Sequence, residues 1–336
     1  MASRVAVIGA GSWGTAVAAI AASKASTVLW ARRPELAADI TTRHRNSAYL
    51  PDIVLPASLS ATSSLEEAVD GASVVVMGVP SHGFRDILGE AVPFMADGLP
   101  VISLAKGVEQ QTLKRMTEVV AEVAPGRPTG VLTGPNLAKE IVAGQPAASV
   151  VATTDEALSA ELQQLFSTDA FRVYTNGDLV GCEVAGALKN VMAIASGMAD
   201  GMGFGDNTRA ALITRGLAEL TRLGVALGGE PLTFSGLAGM GDLVATCISR
   251  QSRNRFVGEE LGKGRTIEEI TADMKMVAEG VKTSRAVVDL AARVGVEMPI
   301  AEQVVAVLYE GKKAAEVIPS LMRREAKPEL HGIRHA

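Results

Sequence analysis

The chain carries a lysine where lysines seldom sit. Lys189 lies inside Gly181–Gly197, an otherwise apolar stretch, and Gly186, Lys189, Ala193 and Gly197 are spaced by three and four, so on a helix they share one face. Lysine is rarely buried without a partner, and desolvation lowers the pKa of such a group, which would equip it to give or take a proton near neutral pH. Asp242, in Ala238-Gly239-Met240-Gly241-Asp242-Leu243, has equally small, apolar neighbours and is the candidate partner. On pattern alone, an acid/base pair and a structural Lys–Asp ion pair at a helix interface are equally good readings.

Anion recognition is the second theme. Arg250-Gln251-Ser252-Arg253-Asn254-Arg255 sets three guanidinium groups among hydroxyl and amide donors, a composition suited to phosphate or pyrophosphate; a solvated, capped helix start is the alternative. Lys106, in Ser103-Leu104-Ala105-Lys106-Gly107, follows a strand-like run, and in open parallel sheets that edge faces the ligand crevice; an exposed turn lysine is the plainer reading. Thr133-Gly134-Pro135-Asn136-Leu137-Ala138-Lys139-Glu140 reads as strand, glycine turn and helix start, and a helix N-terminus can receive an anionic group.

Gly9-Ala10-Gly11-Ser12-Trp13-Gly14 is the most specific of these turns. Its glycines fit G-x-G-x-x-G, with the strand-like Val5-Ala6-Val7-Ile8 before it and an Ala-rich helix starting within it. The first glycine makes a tight turn, the second lets backbone approach a pyrophosphate, and the third permits close helix–strand packing. A dinucleotide fold that takes NAD usually places a carboxylate about 20 residues on, for the ribose 2′-hydroxyl. Here Val28-Leu29-Trp30 runs instead into Ala31-Arg32-Arg33-Pro34. A planar guanidinium can grip a 2′-phosphate bidentately and stack on adenine, so Arg32 and Arg33 tilt the expected ligand toward NADP(H), with NAD(H) still open.

The elements that must hold these residues fall into two textures. Up to about residue 175, β-branched runs alternate with helical patterns: expected strands are Arg4–Ile8, Thr27–Trp30, Ser73–Val79, Val101–Leu104, Val131–Thr133, Ala148–Ala152 and Phe171–Tyr174. Between them, Thr15–Ser23, His82 to before Pro93, Thr112–Val123 and Glu156–Phe166 read as helices. Such alternation predicts an α/β fold, a Rossmann-like and mostly parallel sheet covered on both faces. From Asp178 onward long Ala-, Leu-, Gly- and Met-rich stretches predict an all-helical domain. The expected division is 1–177 for dinucleotide binding, 178–322 for substrate and catalysis, and a polar, flexible tail over 323–336.

Composition sets outer limits. The length of 336 residues suits two domains, and the net charge of −5 without long basic blocks argues against nucleic acid as a partner. Cys182 and Cys247 show no disulfide spacing, which suits a reducing, cytoplasmic setting, and the four histidines form no metal-ligand pattern, so no metal is expected. Arg4 to Ala22 imitates a signal peptide, but its glycines read better as strand, turn and helix, and no run elsewhere approaches the ~18 apolar residues of a membrane span.

Taken in order, Gly9–Ala16, Lys106-Gly107, Gly134-Pro135, Ala138-Lys139-Glu140, Lys189-Asn190, Gly203-Phe204-Gly205, Ala210–Gly216, Gly239–Leu243 and Gln251–Arg255 make a set far more specific than any member. Over about residues 4 to 322 the chain resembles the bacterial NAD(P)-dependent glycerol-3-phosphate dehydrogenases. The resemblance implies reversible conversion of dihydroxyacetone phosphate and sn-glycerol 3-phosphate with NADPH or NADH, feeding phospholipid synthesis, by a cytoplasmic homodimer. It implies Lys189 as catalytic acid/base, with Asp242 orienting or tuning it. Lys106, Gly134, Asn136, Asn190, Ser252, Arg253 and Asn254 fall on substrate-contacting positions. Gly9, Gly11, Ser12, Trp13, Gly14, Arg32, Arg33, Lys106, Ala138, Arg253, Val277 and Glu279 match coenzyme contacts. Asn136 departs from the Ser or Thr of the family pattern, though an amide also donates and accepts. A dehydrogenase of a β-hydroxyacid or of 6-phosphogluconate shares the architecture and a lysine, but Gly239–Leu243 and Gln251–Arg255 argue against it. A nucleotide-sugar dehydrogenase would need a nucleophilic cysteine, and Cys182 and Cys247 read as core residues. A non-catalytic NADP(H)-binding redox sensor would need the glycine turn without Lys189, Asp242 and the arginine group.

Overall fold

Val5 and Val7 pack into one apolar cluster while Ala6 and Ile8 pack into another, and all four are fully buried. That period of two, apolar on both sides, is what a strand covered on both faces requires. The computed structural model describes residues 4–274 and 278–329. Among the described residues, eight strands form one sheet: β1 (Arg4–Ile8), β2 (Ser26–Trp30), β3 (Leu59–Thr62), β4 (Val74–Met77), β5 (Val101–Ser103), β6 (Thr129–Thr133), β7 (Ala147–Thr153) and β8 (Phe171–Asn176), in the spatial order 3-2-1-4-5-6-7-8. The pairings are parallel except β6 with β7. Helices α1 (Ser12–Ala21), α2 (Pro34–Arg43), α3 (Leu65–Val69), α4 (Phe84–Ala91), α5 (Met116–Val123), α6 (Ala138–Val142) and α7 (Glu156–Phe166) connect them.

Some features go beyond the sequence reading. β3 is an edge strand in which Leu59 alone is fully buried, so Leu-Ser-Ala-Thr carries no apolar alternation to announce it. α2 was hidden by its charged, weakly apolar composition; Pro34 at its first position and the left-handed His44 at its end define it. β7 runs antiparallel to β6, and the connection between them, residues 134–146, carries only the five-residue α6 rather than a long crossover helix.

The second half is helical: α8 (Leu179–Gly201), α9 (Asp206–Ala226), α10 (Pro231–Ser235), α11 (Asp242–Ile248), α12 (Arg253–Gly262), α13 (Ile267–Asp273), α14 (Glu279–Arg293), α15 (Pro299–Tyr309) and α16 (Val317–Met322). α8 is apolar and long enough to cross a membrane by composition, yet 83% of its most apolar stretch is buried within the protein. Its neighbours explain the small residues: a Cβ on Gly197 would sit 2.1 Å from the Arg255 carbonyl oxygen, and one on Gly258 would sit 2.0 Å from that of Ile194. α8 and α12 therefore touch backbone to backbone. Two compact units result, one running through Lys106 and resuming over Lys114–Leu179, the other made of Gly107–Leu113 and the described residues from Val180 onward. Arg324 and Lys327 both reach Glu297 (3.1 and 2.8 Å), and Arg215 donates to the Glu329 carbonyl (2.9 Å). These surface ties involve described residues of the expected tail.

Candidate active site

The strand order reverses at β1 and β4, and in open α/β sheets the ligand crevice opens beyond the C-terminal ends of the strands at that point. Gly9 follows β1 with φ +120°. A Cβ there would meet the Gly78 carbonyl carbon and oxygen at 2.7 Å, and one on Gly14 would sit 2.0 Å from the Gly9 oxygen. These two glycines are needed for packing. Gly11 differs: a Cβ on it would have nothing within 4 Å, and as N-cap of α1 it receives no side-chain cap. Exposed backbone at a helix N-terminus without an acidic first turn is a cradle for an anion, so the residues present fit a dinucleotide pyrophosphate. Trp13 lies edge-on to Phe171, with ring centroids 6.3 Å apart, and its indole N–H is shielded from solvent without a partner. Arg32 and Arg33 are exposed just past β2, and the Arg33 guanidinium lies 6.0 Å from the Tyr49 ring centroid.

Lys106 and the second glycine turn meet in the same unit. Lys106 Nζ donates to the Gly134 carbonyl (2.7 Å), and Gly134 has φ +129° with its Cβ position 3.2 Å from Ser149 Cα. Both amide atoms of Asn136 and the hydroxyl of Thr133 are shielded from water without hydrogen-bond partners. Buried polar groups are usually paired, so this cluster has unspent capacity for a polar ligand. Ala138 opens α6 behind an N-cap, Leu137, that offers no side-chain bond.

In the helical unit, Lys189 and Asp242 are 6% and 1% exposed and form an ion pair, 53 residues apart in sequence. Thr246, one turn along α11, gives its hydroxyl proton to the Asp242 backbone carbonyl (2.6 Å) and accepts from Lys189 Nζ (2.8 Å). Sequence reasoning missed Thr246; its spacing of four from Asp242 was the available signal. The turn Leu237–Gly241, with five-residue hydrogen-bond spacing, delivers Asp242 into α11 and needs Gly239, whose Cβ position is 2.1 Å from the Phe234 carbonyl oxygen.

Next to Lys189 in sequence, Asn190 accepts from Asn254 Nδ2 (2.9 Å), and Asn254 Oδ1 accepts the Gly280 N–H (2.8 Å). The segment opening α14, with Glu279 at its first position, is thereby fixed to α8 and α12. Ser252 is buried as N-cap of α12, accepting the Arg255 N–H (3.2 Å), and Arg253 follows with an exposed side chain. Arg255 is engaged within the protein: it pairs with Asp200, whose side chain is 7% exposed (2.8 Å), and with Glu259 (3.2 Å). Val277 lies outside the described residues. Cys182 and Cys247 are fully buried, and burial pushes the Cys247 thiol up to about 12, so it stays protonated at neutral pH. Among the described residues no group of three His, Cys, Asp or Glu side chains could hold a metal.

The profile for the NAD-dependent glycerol-3-phosphate dehydrogenase N-terminus matches residues 4–159, and that for the C-terminus matches residues 178–319. The chain is 56% identical over 328 residues to glycerol-3-phosphate dehydrogenase (NAD(P)+) 2 of Sphingopyxis alaskensis, covering 98% of each. It is 52% identical over 334 residues to the glycerol-3-phosphate dehydrogenase (NAD(P)+) of Thermobifida fusca, covering 98% of this chain and 99% of the relative. The crystal structure of glycerol-3-phosphate dehydrogenase from Coxiella burnetii matches with a TM-score of 0.92 at 36% identity, covering 96% of this chain and 99% of that one. On both halves of its sequence, the chain belongs to the NAD-dependent glycerol-3-phosphate dehydrogenase family.

Proposed function

We propose that this protein interconverts dihydroxyacetone phosphate and sn-glycerol 3-phosphate with NADPH or NADH. The observation that carries the reading is the buried Lys189–Asp242 pair with Thr246 on the same ammonium, in a chain that also has a pyrophosphate cradle. A bound nicotinamide supplies or accepts the hydride. Lys189 gives its proton to the ketone oxygen as charge builds there, and recovers it in the reverse direction. Asp242 aims the ammonium, and Thr246 occupies a second of its three N–H bonds, restricting its rotation. A lysine held this way is pre-oriented, so less reorganisation is required in the transition state.

Ser252, Arg253, Asn254 and Asn190 are assigned to the substrate, as are Lys106, Gly134 and Asn136; the unpartnered Asn136 amide supports its assignment. Gly9, Gly11, Ser12, Trp13, Gly14, Ala138, Lys106, Arg253, Val277 and Glu279 are assigned to the coenzyme. Arg32 and Arg33, with no carboxylate at the end of β2, favour NADPH. The product is taken to feed phospholipid synthesis in the cytoplasm, and the enzyme to work as a soluble homodimer, as the family resemblance implies.

A steady-state assay following NADPH and NADH oxidation with dihydroxyacetone phosphate tests this. Turnover with a lower KM for NADPH is the expected outcome. Coenzyme binding without turnover would turn the reading toward a redox sensor.

A further inference from the structure

Asn46 is fully buried beneath the glycine turn, on the segment that follows α2. Its Nδ2 donates to the Ala10 carbonyl (2.9 Å) and to Thr15 Oγ1 (2.8 Å), while its Oδ1 accepts the Tyr49 N–H (3.1 Å). The segment is itself held: Ser47 donates through its N–H (3.2 Å) and hydroxyl (2.6 Å) to Asp39 of α2, and Ser12 Oγ donates to the Tyr49 carbonyl (3.3 Å). Asp39 stays ionised for this role, because the Ser47 hydroxyl bond above all lowers its pKa.

In a trans peptide the C=O and the following N–H lie in one plane and point in opposite directions. Pinning the Ala10 carbonyl toward Asn46 therefore aims the Gly11 N–H the other way. Gly11 is also the residue whose Cβ position faces open space. The backbone bonds of Ala10's neighbours, Gly9 N–H to the Trp30 carbonyl (3.1 Å) and Thr15 N–H to the Gly11 carbonyl (2.9 Å), act on the adjoining peptides, whereas Asn46 binds the Ala10–Gly11 peptide itself. We propose that Asn46 is a positioning residue for the coenzyme: it fixes the Ala10–Gly11 peptide so that its N–H is presented to the pyrophosphate. The proposal rests on the coenzyme reading of the glycine turn and adds to it a residue 32 positions beyond Gly14, outside the glycine motif.

This role makes a selective forecast. The pyrophosphate is common to NADPH, NADH and ADP-ribose, but adenosine 2′-monophosphate lacks it. In Asn46→Ala, calorimetric titration of the purified full chain should show the Kd of the first three rising together, by about tenfold to a hundredfold, the effect of a hydrogen bond to a charged group. The Kd for adenosine 2′-monophosphate, kcat, and the KM for dihydroxyacetone phosphate at saturating coenzyme should stay within about threefold, or roughly 0.7 kcal/mol. Asn46→Asp keeps the size of the side chain and the acceptor for Tyr49 but has no N–H for Ala10, and it answers the same question should the alanine variant lack a cooperative melt. Unchanged ADP-ribose affinity in either folded variant overturns the proposal, as does an equal loss of adenosine 2′-monophosphate, which would mark a general structural role. Failure of the unsubstituted protein to bind any of the four nucleotides would instead overturn the coenzyme reading.

Discussion

Glu219 offers a stability switch whose size can be worked out from its surroundings. It sits on α9, 1% exposed, and its carboxylate accepts the N–H groups of Ile300 (2.8 Å) and Ala301 (3.3 Å) in the first turn of α15. Met298, the N-cap of that helix, contributes no side-chain bond, so Glu219 caps α15 from another helix. Burial nevertheless dominates and raises this carboxyl from 4.5 to about 7, the two backbone bonds and Arg222 opposing it. At ~1.4 kcal/mol for each tenfold change in proton affinity, that rise is worth about 3 kcal/mol. The sign follows from linkage. Below the unfolded value both states hold the proton and nothing is lost. Between that value and about 7 the folded protein keeps a proton the unfolded chain has released, so stability falls as pH rises. Above it, the full penalty remains. Glu219→Gln is neutral throughout, so its stability relative to the parent should move in the glutamine's favour by about 3 kcal/mol from acid to alkaline pH. Urea unfolding of both proteins across that range, followed by helical circular dichroism, measures the difference. A difference that stays flat, or that moves toward the parent as pH rises, would refute the reasoning.

Other substitutions test the site itself. Lys189→Ala should keep coenzyme affinity and lose about a thousandfold or more in turnover, judged by single-turnover kinetics. Because it strands the buried Asp242 carboxylate, the single variant should lose about 3–5 kcal/mol of stability, and Lys189→Ala with Asp242→Asn should recover much of it in the same melt. Arg33→Ala should raise KM for NADPH about tenfold while leaving that for NADH nearly unchanged; equal losses would remove Arg33 from the 2′-phosphate. Gly239→Ala must push against the Phe234 backbone, which has no side chain that can swing away, so turnover should fall and the melt drop by about 2 kcal/mol or more. Wild-type values in that variant would show that the turn before Asp242 is more pliant than its packing indicates.

What the sequence disclosed followed from local rules. β1, the glycine turn and α1 were legible because the apolar period and the glycine spacing act within a dozen residues, and the switch between alternating and helical textures marked the change of architecture. What stayed hidden depended on distance or weak local signal. Gly78 presses on the Gly9–Gly14 turn from the end of β4, Asn46 reaches it from the far side of α2, and Glu219 caps a helix 80 residues away. None of these has a neighbour in sequence that betrays its partner. Arg255 shows the same limit. Among arginines and amides it resembles an anion ligand, and only its packing shows it committed to Asp200.

Lys189 and Asp242 show how the two kinds of information combine. Spacing suggested each residue but left open whether the pair serves chemistry or architecture. A buried ion pair is weak support for stability, because the cost of desolvating two charges roughly cancels their attraction, and well-packed apolar residues do as well or better. Here the surroundings are the apolar core of α8, with Val191, Met192 and Ile194 nearby in sequence and fully or almost fully buried. Thr246 adds a second polar contact to the same ammonium, at a helix position an alanine could fill. Two polar side chains, Asp242 and Thr246, converge on the Lys189 nitrogen within that apolar core. An oriented proton donor, the role proposed for Lys189, would use both contacts, whereas an ion pair by itself calls only for Asp242.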